Sequence, residues 1–251
     1  MVFPKIQHTK LSDAIMARIE AMIVDGSLGS GQRLPSERDL ALQFEVSRPS
    51  LREAIQKLEA RGLIERRQGG GTYVCDTLQQ RVAEPLFELL AKHPESQFDL
   101  LEFRHALEGI SAYYAALRGT PADLEAIEQS FSAIAEQQQG ELVEHASALS
   151  AFHLRITEAS HNVVLLHLVR GMQPLLTENI RQNLEVLAGK AGILQKLNAH
   201  RQQIVTAIVA GEPEQAREAC YEHLAYIEHA LLTLSRENSR MQRSLRRHET
   251  G

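Results

Sequence analysis

The sequence predicts a mainly α protein in two parts, an N-terminal winged helix-turn-helix and a C-terminal all-helical antiparallel bundle. Two patterns carry this expectation. Within residues 1–75, helical periods are followed by two β-prone runs around a triple glycine. From residue 82 almost to the end, apolar residues recur at helical spacing, interrupted only at short breaker clusters. Composition agrees: the 251 residues are 43% apolar but only 5% aromatic, with no tryptophan, a balance that favours helix.

In the first part, Leu11, Ile15, Ile19, Met22 and Ile23 form one amphipathic stripe that stops at Asp25-Gly26. A turn at Ser30-Gly31 leads into Leu34-Pro35-Ser36. Ser36 with Asp39 three residues on has the form of a capping box, opening a short helix through Leu40, Ala41 and Phe44. Ser47 suits the cap of the next helix, and Pro49 is tolerated in its first turn because that amide has no intrahelical partner. Leu51, Ala54, Ile55 and Leu58 are its buried stripe, closed by Arg61-Gly62. Leu63-Ile64, the triple glycine Gly69-Gly70-Gly71 and Thr72-Tyr73-Val74 then read as a hairpin.

Residues 76–81 lack periodicity and form the expected linker between domains at 1–75 and 82–237. Helices are predicted over 82–92, 98–118, 121–138, 141–160, 162–187, 190–211 and 213–237, with Pro94, Gly119-Thr120-Pro121, Gly140, Gly189 and Gly211-Glu212-Pro213 at the joints. A basic tail over 238–251 is expected to be solvated and frayed.

Net charge is −5, yet it divides as +2 over residues 1–75, −10 over 76–235 and +3 over 236–251. A basic head on an acidic body fits a nucleic-acid-binding module fused to a domain with another task. Cys75 and Cys220 lie far apart without Cys-x-x-Cys spacing, as expected of inert thiols in an intracellular protein. Neither an apolar leader nor a run of ~18 apolar residues is present, so a cytoplasmic protein is expected. The triple glycine lacks the Lys-Ser/Thr of a phosphate-binding loop, and no nucleophile–base pair stands out. A regulator is therefore expected rather than an enzyme, the rival being a metalloenzyme tethered to DNA by its head.

Chemistry in the head points to DNA. Arg48 and Arg52 stand at i and i+4, on one side of the start of the third helix. In a helix-turn-helix that end enters the major groove, where an arginine fork matches guanine O6 and N7. Arg38 opens the preceding helix, which crosses the backbone. Gln68 and Gly69 sit at the hairpin tip, where an absent side chain lets the chain approach the duplex.

The run Leu34-Pro35-Ser36-Glu37-Arg38, Leu40-Ala41, Val46-Ser47-Arg48-Pro49-Ser50-Leu51-Arg52-Glu53-Ala54, Gly62-Leu63-Ile64 and Gly71-Thr72-Tyr73-Val74 resembles the GntR family of bacterial regulators. The resemblance implies DNA contacts at Arg38, Arg48, Arg52 and the Gln68-Gly69 tip. It adds Ser47 and Ser50, where small hydroxyl residues touch phosphate or bases.

Nine of the 11 histidines lie between His93 and His229. His153, His200 and His223 fall in three different predicted helices, and imidazoles so placed can converge on a metal in a bundle. Arg104…Leu107-Glu108, Phe152-His153…Ile156…Ala159-Ser160, His200…Ile204…Ala207-Ile208 and Ala216…His223 resemble the FadR subfamily's ligand-binding domain. That implies an effector site at Arg104, His153, His200 and His223, with Arg104 facing a ligand carboxylate. In metal-binding members an Asp one turn before the first histidine joins the three; here that position is Leu149. Two alternatives follow: a divalent metal, Zn²⁺ or Ni²⁺, on His153, His200 and His223, or a metal-free pocket where the imidazoles meet the effector directly.

A narrower resemblance lies in His93-Pro94-Glu95-Ser96-Gln97-Phe98-Asp99-Leu100-Leu101-Glu102, His161-Asn162-Val163-Val164-Leu165-Leu166-His167-Leu168 and Arg243-Ser244-Leu245-Arg246-Arg247. It is to the branch of the family that represses the pyruvate dehydrogenase operon. It implies a homodimeric repressor released from double-stranded operator DNA by pyruvate. The alternative within the family is a sister regulator sensing lactate or glycolate.

Overall fold

The computed structural model describes residues 10–29, 31–67, 70–75, 96–137 and 140–249, which fall into two compact units, one ending at Cys75 and one beginning at Ser96. The linker at 76–81, the helix predicted over 82–92, and the wing-tip residues Gln68 and Gly69 lie outside the described residues.

In the first unit, helix α1 (Leu11–Val24) turns Ile15, Met16 and Ile19 inward and ends at Asp25, with Gly26 at φ 82°. Helix α2 (Glu37–Gln43) is capped by Ser36, whose hydroxyl oxygen accepts the Asp39 N–H at 3.2 Å. The box closes differently from the capping box expected of the sequence. Asp39 is one methylene shorter than Glu, and the Ser36 hydroxyl donates to its Oδ2 at 2.6 Å. Glu45 holds a left-handed φ of 54° in the turn that follows. Helix α3 (Arg48–Ala60) begins under its Ser47 cap and ends at Gly62, φ 71°. Leu51, Ala54, Ile55 and Leu58 are at most 1% exposed. Each of the larger three gives roughly 1.5–3 kcal/mol by leaving water.

Strands β1 (Ile64–Arg67) and β2 (Gly71–Val74) pair antiparallel with Ile64 opposite Val74. Residues 31–34 add a short third segment to β2, which the sequence reading missed. Leu34 N–H donates to Thr72 O and Val74 N–H to Gln32 O, at 2.8 and 3.0 Å. This run is polar and too short to alternate, so only its pairing reveals it.

The second unit is built from α4 (Ser96–Arg118), α5 (Pro121–Gln137), α6 (Leu142–Ala159), α7 (Val163–Leu187), α8 (Ile193–Val209) and α9 (Pro213–Glu249). Consecutive helices pack as hairpins, α5 on α6, α6 on α7 and α8 on α9, while α4 touches α6, α7, α8 and α9. Predicted boundaries shift at two places. Helix α8 starts at Ile193 because Gly192 takes a left-handed φ of 82°. Helix α9 runs on to Glu249, through the described part of the tail expected at 238–251, where Arg, Glu, Gln and Met favour helix.

Two hydrophobic clusters fill this unit. One gathers Ala112, Ile127, Leu149, Phe152, Ile156, Ile180, Leu184 and Ile204; the other gathers Leu101, Leu187, Leu197, Leu224, Ile227 and Leu231. Between them runs a seam of buried polar side chains, and the candidate pocket lies there.

Candidate functional site

On the head, α3 presents Arg48 and Arg52 outward, whereas Lys57 and the C-cap Arg61 are tied back to α1. Lys57 is pinned to Asp13 at 2.6 Å and Glu53 at 2.9 Å, and Arg61 to Glu20, which fastens α3 to α1. Arg48 has no acidic partner among the described residues, and Arg38 meets only Asp39 at 3.7 Å with three quarters of its side chain in water. Arg52 and Arg66 share Glu37, at 3.1 and 3.4 Å. Leu42 lies 69% exposed in a shallow hollow flanked by Arg38 and Arg48. Exposed guanidiniums around the start of α3 form a surface suited to a polyanion. Ser47 and Ser50 are engaged in the cap: Ser47 Oγ accepts Ser50 N–H at 3.3 Å and lies 2.8 Å from Ser50 Oγ.

In the helical unit, five helices converge on a small cavity. It is lined by Arg104 of α4, Leu149 and His153 of α6, Ile180, Asn183, Leu184 and Leu187 of α7, Leu197 and Arg201 of α8, and His223 and Ile227 of α9. Its volume is about 20 Å³, room for a water molecule. Arg104 is 3% exposed; its Nε donates to Glu108 Oε1 at 2.7 Å and its Nη1 to Asn179 Oδ1 at 3.4 Å. Asn183 Nδ2 donates to the same Asn179 oxygen at 3.2 Å, and Gln97 Nε2 to Asn183 Oδ1 at 2.7 Å. His153 Nδ1 lies 3.1 Å from Glu108 Oε2 without hydrogen-bond geometry.

Several other polar atoms of the seam are unpartnered. Arg201 Nε, both ring nitrogens of His223, His200 Nδ1 and Asn179 Nδ2 are buried with nothing in hydrogen-bond reach. Such atoms cost free energy unless a ligand or water meets them, so the unpartnered Arg201 and His223 on the cavity wall mark it as a candidate binding site.

Electrostatics follow from this packing. Burial raises the Glu108 carboxyl, but Arg104, His153 and Arg201 more than offset it and keep it ionised. Burial pushes His153 down to about 4 against the opposing pull of Glu108, and burial with Arg201 pushes His223 well below its ordinary value. Burial and the neighbouring Arg104 lower Arg201 to about 9, so it stays cationic at neutral pH.

A pH dependence of stability follows. An imidazole held near 4 in the fold but near 6.5 when unfolded binds a proton in the unfolded chain first. Stability is therefore complete above about pH 6.5 and falls as pH drops towards 4, by about 1.4 kcal/mol per pH unit for each such group. Urea unfolding between pH 7 and 4.5 is expected to show this slope, and His153→Asn to flatten it.

Of the four residues that the resemblance assigned to effector binding, Arg104, His153 and His223 line the cavity, while His200 stands behind His223. Its ring lies 6.2 Å from that of His223 and 5.2 Å from Tyr226. Arg104 also makes an ion pair with Glu108, within the interior rather than at the surface. The sequence reading missed Arg201, Asn179, Asn183 and the structural part of Glu108.

The metal set does not close. Zn–N bonds of ~2.0–2.1 Å bring two rings on a tetrahedral ion to about 5 Å between centroids. The His153–His223 and His200–His223 centroids stand 6.4 and 6.2 Å apart. Leu149, 1% exposed, supplies a methyl wall where a carboxylate would be needed. Among the described residues no group of three or more His, Cys, Asp or Glu side chains is placed to hold a metal ion. The same residues contain no helix long and apolar enough to cross a membrane.

Comparison with known proteins matches both units. Residues 11–74 fit the model of bacterial regulatory proteins of the gntR family, and residues 99–226 fit the FCD domain. A regulatory protein of Escherichia coli (strain K12) named for the L-lactate dehydrogenase operon is 36% identical over 241 residues, covering 94% of this chain and 92% of its own length. The transcriptional regulator LutR of Bacillus subtilis (strain 168) is 37% identical, covering 86% and 99%. The Glc operon transcriptional activator of Escherichia coli (strain K12) is 32% identical, covering 96% of both. Among solved structures, Streptococcus agalactiae GntR superposes with a TM-score of 0.53 at 24% identity, over 87% of this chain and 99% of that one, which supports the fold. A winged helix matched along its length, followed by a matched FCD domain, identifies the chain as a member of the GntR family of bacterial transcriptional regulators, in its FadR subfamily.

Proposed function

We propose that this regulator is a homodimeric repressor whose hold on its operator is loosened by a small 2-hydroxy monocarboxylic acid, with L-lactate the first candidate. The observation that carries this reading is the seam in which Arg104 and Arg201 are buried beside apolar Ile180, Leu184, Leu187 and Leu197. A guanidinium orients a carboxylate, and an apolar wall suits the methyl group of a three-carbon acid. The relative named for an L-lactate dehydrogenase operon favours the 2-hydroxy acid over pyruvate, to which the narrower sequence resemblance pointed. Pyruvate differs from lactate only at C2, and glycolate lacks the methyl group, so the three form the natural test panel.

Two copies related by a two-fold axis set two α3 helices on half-sites about one DNA turn apart. Arg38, Arg48 and Arg52 then meet phosphates and bases, with the wing tip at Gln68-Gly69 as a further contact. A cavity of about 20 Å³ is too small for a three-carbon acid, so binding must displace lining side chains. That displacement gives the ligand different affinities for two states, as any effector requires. Linkage is reciprocal: operator DNA weakens acid binding by the same factor.

The test is a fluorescence titration of the full chain on an operator selected by the protein from a random-sequence pool. Neutralising ~6 phosphates gives a log–log salt slope near −5. Release by L-lactate supports the reading; a slope near zero, or binding indifferent to all three acids, overturns it. Because the donors do not close on an ion, chelator treatment is expected to leave both DNA binding and acid release unchanged.

A further inference from the structure

We infer that Arg201 is the anion-holding group of the pocket, and that the pocket takes one negative charge and no more. This deepens the proposed function and rests on its reading of the helical unit as an acid sensor. Three ionic side chains are buried in the seam: Arg104, 3% exposed, Arg201, 5%, and the Glu108 side chain, 13%. Glu108 is bonded by Arg104 at 2.7 Å and meets Arg201 only through space, so two guanidiniums face one carboxylate and one positive charge is left over at Arg201. Its Nε is buried without a partner, and it lines the cavity opposite His223, whose two nitrogens are equally unpartnered.

An isolated charge in a dry interior is unfavourable unless paired. A monocarboxylate entering the cavity would neutralise Arg201, accept from its Nε and offer its C2 oxygen to His223. A dicarboxylate brings a second charge for which the seam holds no free cation, because Arg104 is already paired. The apolar wall adds no partner for it. Charge count thus sets selectivity for monoanions, and the methyl wall sets size.

The experiment is differential scanning fluorimetry and calorimetry of the full chain with L-lactate, pyruvate, glycolate, malonate and the uncharged lactamide, on wild type, Arg201→Gln and Arg201→Lys. For wild type, at least one monocarboxylate is expected to raise the melting temperature, and malonate and lactamide are not. For Arg201→Gln, the unliganded protein melts higher than wild type because the unbalanced charge is gone, while affinity for the acid falls about 10- to 100-fold. Arg201→Lys keeps the charge and restores part of the binding. A purely structural arginine would instead lower the unliganded melting temperature and leave affinity unchanged in the folded fraction, which overturns the inference. Equal binding of the acid by wild type and Arg201→Gln overturns it while sparing the acid-sensor reading. Absence of any monocarboxylate binding to wild type removes both.

Discussion

Arg48→Ala is expected to weaken operator binding roughly 10- to 100-fold, the loss that follows when a bidentate arginine–guanine contact worth about 1–3 kcal/mol is removed together with its charge. Arg48 opens α3, is exposed and has no acidic partner among the described residues, so its full interaction is available to DNA. Arg52 lies one turn further along but is held by Glu37 at 3.1 Å, and that pair must be exchanged for the DNA contact. Arg52→Ala is therefore expected to cost less than Arg48→Ala. Glu37→Gln should tighten binding several-fold, because it frees both Arg52 and Arg66. Titrations on the selected operator and on a variant with the contacted guanine replaced separate the roles. Loss of discrimination in Arg48→Ala marks base reading, whereas uniform weakening with a smaller salt slope marks a phosphate contact. Unaltered affinity in Arg48→Ala contradicts the placement of α3 in the groove.

Glu108→Gln is expected to act in two opposite directions. Glu108 is the carboxylate that balances Arg104 and lies beside His153 in the seam. Its removal leaves two buried guanidiniums uncompensated, at about 3–5 kcal/mol. For a chain of this size that lowers the melting temperature by ~6–20 °C. The same change makes the pocket more positive, so a monocarboxylate should bind more tightly and recover part of the lost stability. Melting curves of wild type and Glu108→Gln with and without L-lactate measure both terms. An unchanged melting temperature shows that the pair contributes nothing. A drop without tighter acid binding shows that Glu108 serves the fold alone.

The head was legible because each of its signals is local. Ser36 and Ser47 cap, Gly26 and Gly62 terminate, and Gly71 opens β2 at a left-handed φ, so spacing alone gives the order of elements. Arg48 and Arg52 could be assigned to the exposed side because the opposite stripe, Leu51, Ala54, Ile55 and Leu58, is uninterrupted. The helical unit was legible as helices, with Gly192 and the unbroken end of α9 as the two places where the breakers misled.

The pocket was harder to see. Its polar residues stand in register with apolar ones: Arg201 falls between Leu197 and Ile204 on the buried stripe of α8, and Asn179 and Asn183 flank Ile180 and Leu184 on α7. A polar residue at a stripe position is the signal that would have found them. It is ambiguous in a single helix, since a surface arginine produces the same letter. Only convergence of five helices separates the two cases. His153 and His223 are both buried, but spacing along the chain gives no distance between their rings.

The most direct test of the account is the titration of wild-type protein on its selected operator in the presence of L-lactate, pyruvate and glycolate, paired with the same titration of Arg201→Gln. The account expects salt-sensitive binding that L-lactate releases in wild type and fails to release in Arg201→Gln, although that variant still binds the operator. Operator binding that none of the three acids loosens would contradict it.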